Sequence, residues 1–363
     1  MYSYPLINKI KTKFLSVSKD SNIDFKNIKI FACQHILEPQ KIMFQELIAL
    51  GIEPNNIFIL GKIYSTSFEI LEEIKEMGIN IIQPDFNQNI SFDEQHKQNC
   101  EELLKFYKTE DSFQKIILDD GGMLLSLFND LKDKTLYGTE QTSSGFRKLE
   151  NIDLNYPIYN VARSQIKLKE ETPFVVDLGY KRILNKLEKY HIKELNTLVV
   201  GMGPIGQGIF DSFKNISKII ISYDINSGEK DIKDIILDNK INLIIGATGN
   251  EIITHDDILG LNNKTGEEII FVSISSSDRE FEVWKLRDLF GLSKEIHSDI
   301  EFNKIKILNN GFPITFEGNR IECAPEEMEK TIALLFSGVL SSILKLNKEK
   351  KLIDIPGTFL QEF

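Results

Sequence analysis

The feature that most constrains the fold of this chain is a run of three glycines between an apolar strand and a helix. Apolar residues 198–200 run straight into a turn that carries Gly201, Gly203 and Gly206. Pro204 stands inside this turn, where its fixed φ suits the first turn of a helix. The spacing G-x-G-x-x-G in a strand-to-helix setting predicts a β-α-β unit of a parallel sheet.

Each glycine of such a turn has its own physical reason. The first lets the chain reverse tightly, the second lets the backbone approach a pyrophosphate, and the third lets the helix pack close to its strand. Free N–H groups at the helix N-terminus face the anion. The next strand, residues 218–223, ends at Asp224, whose carboxylate would bind a ribose diol and repel a 2′-phosphate. We therefore predict NAD as the cofactor, the alternative being a glycine turn with a structural role only. The predicted cofactor-binding residues of this turn are Gly201, Gly203, Pro204, Ile205, Gly206 and Asp224.

Length and composition bound the class of protein. The chain has 363 residues, 42% hydrophobic and 27% charged, which predicts a globular protein of about two domains. The net charge of −11 disfavours nucleic acid or an anionic membrane as the main partner, because both require a positive field. No apolar run has the length of a membrane span, and the N-terminus lacks a signal-peptide pattern, which predicts a cytoplasmic protein.

The cysteines and histidines give no metal signal in the sequence. Cys33, Cys100 and Cys323 are odd in number and widely spaced, which favours a reducing compartment and predicts no metal site. His96 and His297 lie in polar helical or loop contexts, where a solvated side chain is expected.

Strands and helices alternate along the whole chain. The strand-like segments are residues 28–32, 56–60, 79–82, 115–118, 242–245 and 269–274. Helical patterns between them predict the α/β class, with two Rossmann-like domains built on mainly parallel sheets. A helix from about Val176 to Tyr190 connects the domains, and the apolar-periodic helix 326–346 either returns to the first domain or forms a subunit interface.

Two polar runs interrupt this pattern in the first half of the chain. The strand at 115–118 ends in Asp119-Asp120-Gly121-Gly122, and carboxylates at the carboxyl end of such a strand lie where α/β sheets bind ligands. An ordinary Asp-Gly turn is the alternative. The run 137–145 opens a helix, and its hydroxyl groups are either N-caps or ligand contacts.

Taken in order, the polar runs resemble the adenosylhomocysteinase family. The matching stretches are Cys33-Gln34-His35, Leu118-Asp119-Asp120-Gly121-Gly122, residues 138–145, residues 156–161 and residues 164–169, followed by the glycine turn. The resemblance implies a substrate-binding domain at 1–175, completed by 325–363, around an inserted NAD-binding domain at 176–324. It also implies a homo-oligomer, either a dimer or a tetramer.

The resemblance further implies a reaction. In this family NAD takes hydride from the 3′ carbon of a nucleoside ribose, the 5′ substituent is eliminated, water adds, and hydride returns. Lys167 matches the lysine beside the 3′ hydroxyl, while Asp120 and His35 match residues that flank the 4′ and 5′ carbons. These three residues are the predicted catalytic set, because the reaction needs bases and a proton donor at those positions.

Other matches imply binding roles. The implied substrate-binding residues are Glu140, Gln141 and Glu171. The implied cofactor-binding residues are Thr142, Ser143 and Ser144 at the nicotinamide end of NAD, and Thr248, Gly249 and Asn250 in the turn beneath it.

Departures from the family pattern concern the substrate. Leu37 and Pro39 replace polar residues expected at the adenine, and residues 323–327 lack the expected histidine. We therefore expect 3′-hydroxyl oxidation of a nucleoside or related sugar other than adenosylhomocysteine, with or without elimination or hydrolysis at the 5′ position. Two alternatives stay open: a catalytically impaired relative that binds NAD and a nucleoside, and a generic NAD-dependent dehydrogenase.

Overall fold

The structure is a computed structural model that describes residues 4–108, 112–133, 135–224, 231–275, 277–290 and 295–363. Contacts divide the chain into two compact units. Unit 1 comprises Met1–Pro84, His96–Glu171 and Asn319–Phe363, and unit 2 comprises Asp85–Gln95 and Thr172–Gly318. None of the helices in the described ranges combines the length and apolar character that crossing a bilayer requires.

The strands follow the chain in this order: β1 (Ile28–Ile36), β2 (Ile57–Thr66), β3 (Asn80–Ile82), β4 (Gln114–Asp119), β5 (Tyr137–Glu140), β6 (Ile158–Asn160), β7 (Asn196–Val200), β8 (Ile219–Tyr223), β9 (Leu243–Gly246), β10 (Ile269–Ser273), β11 (Ile300–Phe302), β12 (Ile305–Ile307) and β13 (Leu352–Asp354).

The helices are α1 (Pro5–Val17), α2 (Glu38–Ala49), α3 (Phe68–Glu76), α4 (Phe92–Leu104), α5 (Met123–Asp130), α6 (Ser143–Leu149), α7 (Gln165–Lys189), α8 (Pro204–Phe213), α9 (Ile232–Asp238), α10 (His255–Lys264), α11 (Val283–Phe290), α12 (Pro325–Ile343) and α13 (Gly357–Leu360).

The sheet of unit 1 is parallel throughout and has the strand order β3-β2-β1-β4-β5-β6-β13. Side chains alternate between its two faces, as the pleat of a strand requires. In β1, Ile30 and Ala32 enter one apolar core, while Phe31 and Cys33 enter the other. Both faces are therefore covered, which explains why the central strands are apolar runs without polar alternation.

The long helix α12 belongs to unit 1. Its residues from Thr331 to Ile343 are buried, and its apolar side chains join the core that also contains Ile30 and Ala32. Gly338 permits a close approach to the sheet, since a Cβ there would lie 2.6 Å from Cγ2 of Thr139 in β5. The sequence left open whether this helix returns to the first domain or forms a subunit interface. In the structure it packs within unit 1.

Unit 2 has the strand order β8-β7-β9-β10-β12-β11, parallel except for the antiparallel pair β11–β12. Leu198 and Ile244 face one apolar core, and Val199 and Ile245 face the other. The predicted α/β class with two Rossmann-like, parallel-sheet domains is thus confirmed. The segment Asp85–Gln95, which the predicted boundaries give to the substrate-binding domain, belongs by its contacts to unit 2.

Candidate functional site

The first candidate site lies at the carboxyl edge of the unit 1 sheet. β1 is flanked by β2 on one side and β4 on the other. At such a switch point the connections leave in opposite directions and open a crevice, which is where open α/β sheets bind ligands. His35 near the end of β1, Lys62 in β2 and Asp120 just after β4 meet there, and we call these three residues the Asp120 cluster.

The Asp120 carboxylate holds the cluster together. Its Oδ1 pairs with the Lys62 ammonium, and its Oδ2 lies 3.1 Å from Nε2 of His35. The other ring nitrogen of His35, Nδ1, contacts the hydroxyl of Ser65. Asp120 and Lys62 are each only 4% exposed, so water screens their attraction weakly.

The ion pair fixes the charge of both buried groups. Burial by itself would raise the pKa of Asp120, but the Lys62 ammonium and His35 outweigh it and hold that pKa well below its usual range. Burial would lower the pKa of Lys62, and the attraction of Asp120 outweighs it and raises that pKa well above its usual range. Asp120 is therefore a poor proton acceptor, and its carboxylate is better suited to orienting His35.

Two further carboxyl groups tie together the loops that follow β4 and β5. Asp119 accepts the N–H of the next residue at 2.8 Å and that of Leu125 at 2.9 Å. Oε1 of Glu140 accepts the N–H of Gly121 at 3.1 Å, and both the N–H and the hydroxyl of Thr142 at 2.7 Å. These bonds fix the backbone of the two loops on the β4 side of the crevice.

Burial changes the protonation of these two groups. It raises the pKa of Asp119 to about 6. Burial, together with the neighbouring Asp119 carboxyl, raises the pKa of Glu140 to about 8. Glu140 is fully buried and mainly neutral near pH 7. Its hydrogen bonds hold the loops after β4 and β5 in place.

Lys167, in the first turn of α7, lies beside the loop after β5. Its Nζ donates to the carbonyl oxygen of Gln141 at 2.6 Å and lies 3.5 Å from Oε1 of Glu171, one helical turn away. Glu171 is itself held by the hydroxyl of Thr331 at 2.6 Å. The structure therefore brings together Lys167, Gln141 and Glu171, which the resemblance had linked only by motif.

Two buried amides at this edge have polar atoms without a partner among the described residues. Both side-chain amide atoms of Gln34, which is fully buried in β1, make no hydrogen bond, and neither does Oε1 of Gln141. Leaving a buried polar atom unpaired costs about 1–3 kcal/mol. Such atoms at the ligand-binding edge of a parallel sheet are suited to the polar groups of a small molecule.

The second candidate site is the glycine turn of unit 2, at the carboxyl end of β7. Gly201 has a φ of +94°, and a Cβ there would lie 2.9 Å from the carbonyl oxygen of Ala247. A Cβ on Gly206 would overlap the carbonyl oxygen of Gly201, whereas a Cβ on Gly203 would meet no atom within 4 Å. The first and third glycines are thus required by packing, and the second faces open space at the N-terminus of α8.

The turn after β9 packs against the glycine turn, because Cγ2 of Thr248 would lie 2.8 Å from a Cβ on Gly201. Glu280 holds this second turn in place. Its Oε1 accepts the N–H of Thr248 at 2.7 Å and that of Gly249 at 3.0 Å, while its Oε2 accepts the hydroxyl of Ser273 at 2.6 Å. β7 and β9 are the neighbours at which the strand order of unit 2 reverses, so this edge is also a switch point.

The predicted site residues fall into two groups, each within its own unit. Unit 1 holds His35, Asp120, Glu140, Gln141, Thr142, Ser143, Ser144, Lys167 and Glu171, and unit 2 holds Gly201, Gly203, Pro204, Ile205, Gly206, Asp224, Thr248, Gly249 and Asn250. Thr142 is the N-cap of α6, with its hydroxyl oxygen accepting the N–H of Gly145 at 3.0 Å. The N-cap alternative is therefore correct for Thr142, and the ligand-binding roles of both groups stay predictions.

Sequence reasoning missed Lys62 and Glu280. A signal for Lys62 exists, because it is a charged residue inside an apolar strand that is buried on both faces. Nothing local marks Glu280, whose partners lie up to 32 residues away. The expectation that His96 is solvated is wrong, since its side chain is buried against Cys33 and Cys100.

No protein-family model matches the chain. Two relatives from Mycobacterium tuberculosis, the uncharacterized protein MT0113 of strain CDC 1551 and the uncharacterized protein Rv0104 of strain H37Rv, are each 28% identical to it over 353 residues. The matched region covers 93% of this chain and 67% of each relative.

Similar solved structures include a dehydrogenase and an oxidoreductase. The NAD⁺-bound 3-phosphoglycerate dehydrogenase of Entamoeba histolytica is 10% identical, with a TM-score of 0.44 and coverage of 91% of this chain and 100% of that one. Phosphoglycerate oxidoreductase of Vibrio cholerae is 13% identical, with a TM-score of 0.41 and coverage of 86% and 98%. At these scores neither likeness carries an argument about cofactor or reaction.

Proposed function

We propose that this protein is an NAD-dependent oxidoreductase that oxidises a sugar hydroxyl of a nucleoside-like substrate, as a divergent relative of the adenosylhomocysteinases. The observation that carries the proposal is the glycine turn of unit 2. Gly206 has no room for a side chain against Gly201, whereas Gly203 borders open space at the start of a helix. A pyrophosphate needs this combination of a tight turn, a bare backbone and free N–H groups.

Residues of unit 2 would hold the pyrophosphate and the adenine ribose of NAD. The N–H groups at the start of α8 would bind the pyrophosphate, and Asp224, directly after β8, would accept hydrogen bonds from the hydroxyls of the adenine ribose. The turn Thr248–Asn250, anchored by Glu280, would support the nicotinamide end. When bound, NAD supplies a hydride acceptor.

The substrate would be held by unit 1. Lys167 is the base that would take the proton of the sugar hydroxyl as the carbon gives up its hydride, which leaves a ketone. The carbonyl of Gln141 and the carboxylate of Glu171 fix the position of the Lys167 amine. His35, oriented by Asp120, is the proton donor or acceptor for a second step at the neighbouring carbons.

The test begins with the purified protein. Small molecules released on denaturation are identified by mass spectrometry, and the protein is then mixed with NAD and a panel of nucleosides while the absorbance of reduced nicotinamide is followed. We expect bound NAD and its reduction by at least one nucleoside. The Lys167→Ala variant should lower the reduction rate by about 10²–10⁴-fold, while Lys169→Ala, an exposed lysine on the same helix, should leave it unchanged.

The other outcomes separate the alternatives. NAD and nucleoside binding without any reduced nicotinamide would indicate a catalytically impaired relative, and reduction by 2-hydroxy acids alone would indicate a generic dehydrogenase. Absence of NAD binding would refute the proposal. The homo-oligomer implied by the resemblance is part of the proposal, and light scattering of the same preparation tests it.

A further inference from the structure

Unit 1 contains a compact group of two thiols and one imidazole outside the Asp120 cluster. His96 and Cys100 stand one turn apart on α4, on the side that faces Cys33 of β1. Cys33 and Cys100 are fully buried, and His96 is 6% exposed. Apolar residues such as Phe31, Leu60 and Leu103 surround the two thiols.

The distances in this group match those of a tetrahedral metal site. Nε2 of His96 lies 3.4 Å from Sγ of Cys33 and 3.7 Å from Sγ of Cys100, and the three atoms all lie within 4.8 Å of one another. Zinc binds thiolate sulfur at about 2.3 Å and imidazole nitrogen at about 2.0–2.1 Å, so tetrahedral angles give a sulfur-to-nitrogen separation of about 3.6 Å. A zinc-sized ion therefore fits among the three atoms with little movement.

The donor atoms of the group converge on one point. Both sulfur atoms lie within 3.7 Å of the same ring nitrogen of His96. A cation at the centre binds all three atoms at once. Two thiolates neutralise a divalent ion, so the loaded site has no net charge and its burial avoids the cost of an isolated ion.

We propose that Cys33, His96 and Cys100 bind a single Zn²⁺ ion. Thiolate and imidazole donors select zinc over magnesium or calcium, which prefer oxygen. Binding displaces the two thiol protons, and a water or a small ligand completes the fourth position. The site fastens α4 to β1 and is independent of the proposed cofactor, because all three donors belong to unit 1.

The test uses the whole 363-residue chain, purified under reducing conditions without chelator. Elemental analysis should find about one zinc per chain. Co²⁺ added to chelator-treated protein should give tetrahedral ligand-field bands and a thiolate-to-cobalt charge-transfer band. X-ray absorption of the zinc form should show two sulfur neighbours and one imidazole.

Matched variants assign the donors. Cys33→Ser and Cys100→Ser should each lower zinc occupancy at least tenfold, while Cys323→Ser, outside the group, should retain it. If a donor variant does not fold, the wild-type cobalt and X-ray absorption spectra still decide the matter. A folded wild-type protein with reduced thiols that takes up neither zinc nor Co²⁺, or a metal without sulfur ligands, would overturn the proposal.

Discussion

Two alanine substitutions in the glycine turn should separate folding from cofactor binding. Gly203 has φ −68° and ψ 179°, a conformation that any residue adopts, and its Cβ would meet no atom within 4 Å. Gly203→Ala should therefore change the free energy of unfolding little, because the stiffer unfolded chain, worth about 0.4–1 kcal/mol, offsets the weaker N-cap. If a pyrophosphate lies against this backbone, the added methyl occupies its place.

The size of both effects follows from the space available. Overpacking costs about 1–3 kcal/mol. If the Gly203→Ala methyl meets the bound pyrophosphate at this cost, the affinity for NAD falls by about 5–150-fold. In Gly206→Ala the new Cβ would lie 2.9 Å from the carbonyl carbon of Gly201 and would overlap the carbonyl oxygen. The backbone of the glycine turn must therefore move to make room. We expect about 2 kcal/mol of destabilisation after the helix-propensity gain, and a Tm lower by about 4–8 °C.

Thermal unfolding and calorimetric titration with NAD measure the two quantities on the same preparations. Gly203→Ala should keep the wild-type Tm and lose affinity, and Gly206→Ala should lose Tm even without NAD. Gly260→Ala, at a helical glycine with open space around it, is the matched control for a harmless methyl. Wild-type NAD affinity in a folded Gly203→Ala protein would refute the assignment of the pyrophosphate to this turn.

Three other changes probe the buried polar groups. Lys62→Met leaves the Asp120 carboxylate buried without its cation, so we expect urea unfolding to show a loss of about 3–5 kcal/mol. The raised pKa of Glu140, about 8, means that the folded protein holds a proton that the unfolded chain releases. Stability should therefore fall as pH rises from about 5 to about 8, by up to about 1.4 kcal/mol per pH unit, and Glu140→Gln should flatten this slope in pH-dependent unfolding. Glu280→Ala removes the acceptor for the N–H of Thr248. The free energy of unfolding should fall by about 1–3 kcal/mol for each donor left unpaired, and calorimetry should show weaker NAD binding.

Control variants make these three expectations specific. The double variant Lys62→Met/Asp120→Asn removes both charges and should recover part of the lost stability. Glu280→Gln keeps an acceptor and should retain most of the binding. A wild-type pH slope in Glu140→Gln, or an unchanged unfolding midpoint in Lys62→Met, would contradict the assigned protonation and pairing.

The fold and the glycine turn were predictable because their signals are local. Apolar runs of strand length alternating with helical periodicity indicate an α/β protein wherever they occur. The missing Cβ atoms of Gly201 and Gly206 avoid clashes with backbone of the same turn and with the residues that follow the adjoining strand β9. The destination of helix 326–346 was not predictable, because its apolar face fits a subunit interface as well as its own sheet.

The sequence by itself thus determined the alternation of strands and helices, the tight turn after β7 and the carboxylates at the end of β4. Only the tertiary structure decided what those carboxylates face. Lys62 and Asp120 are 58 residues apart and meet because β2 and β4 flank β1 in the sheet. Cys33 and His96 are 63 residues apart and meet because α4 packs on β1. The ion pair between Lys62 and Asp120 then keeps both groups charged despite their burial, and both the pairing and the burial arise only in the packed molecule.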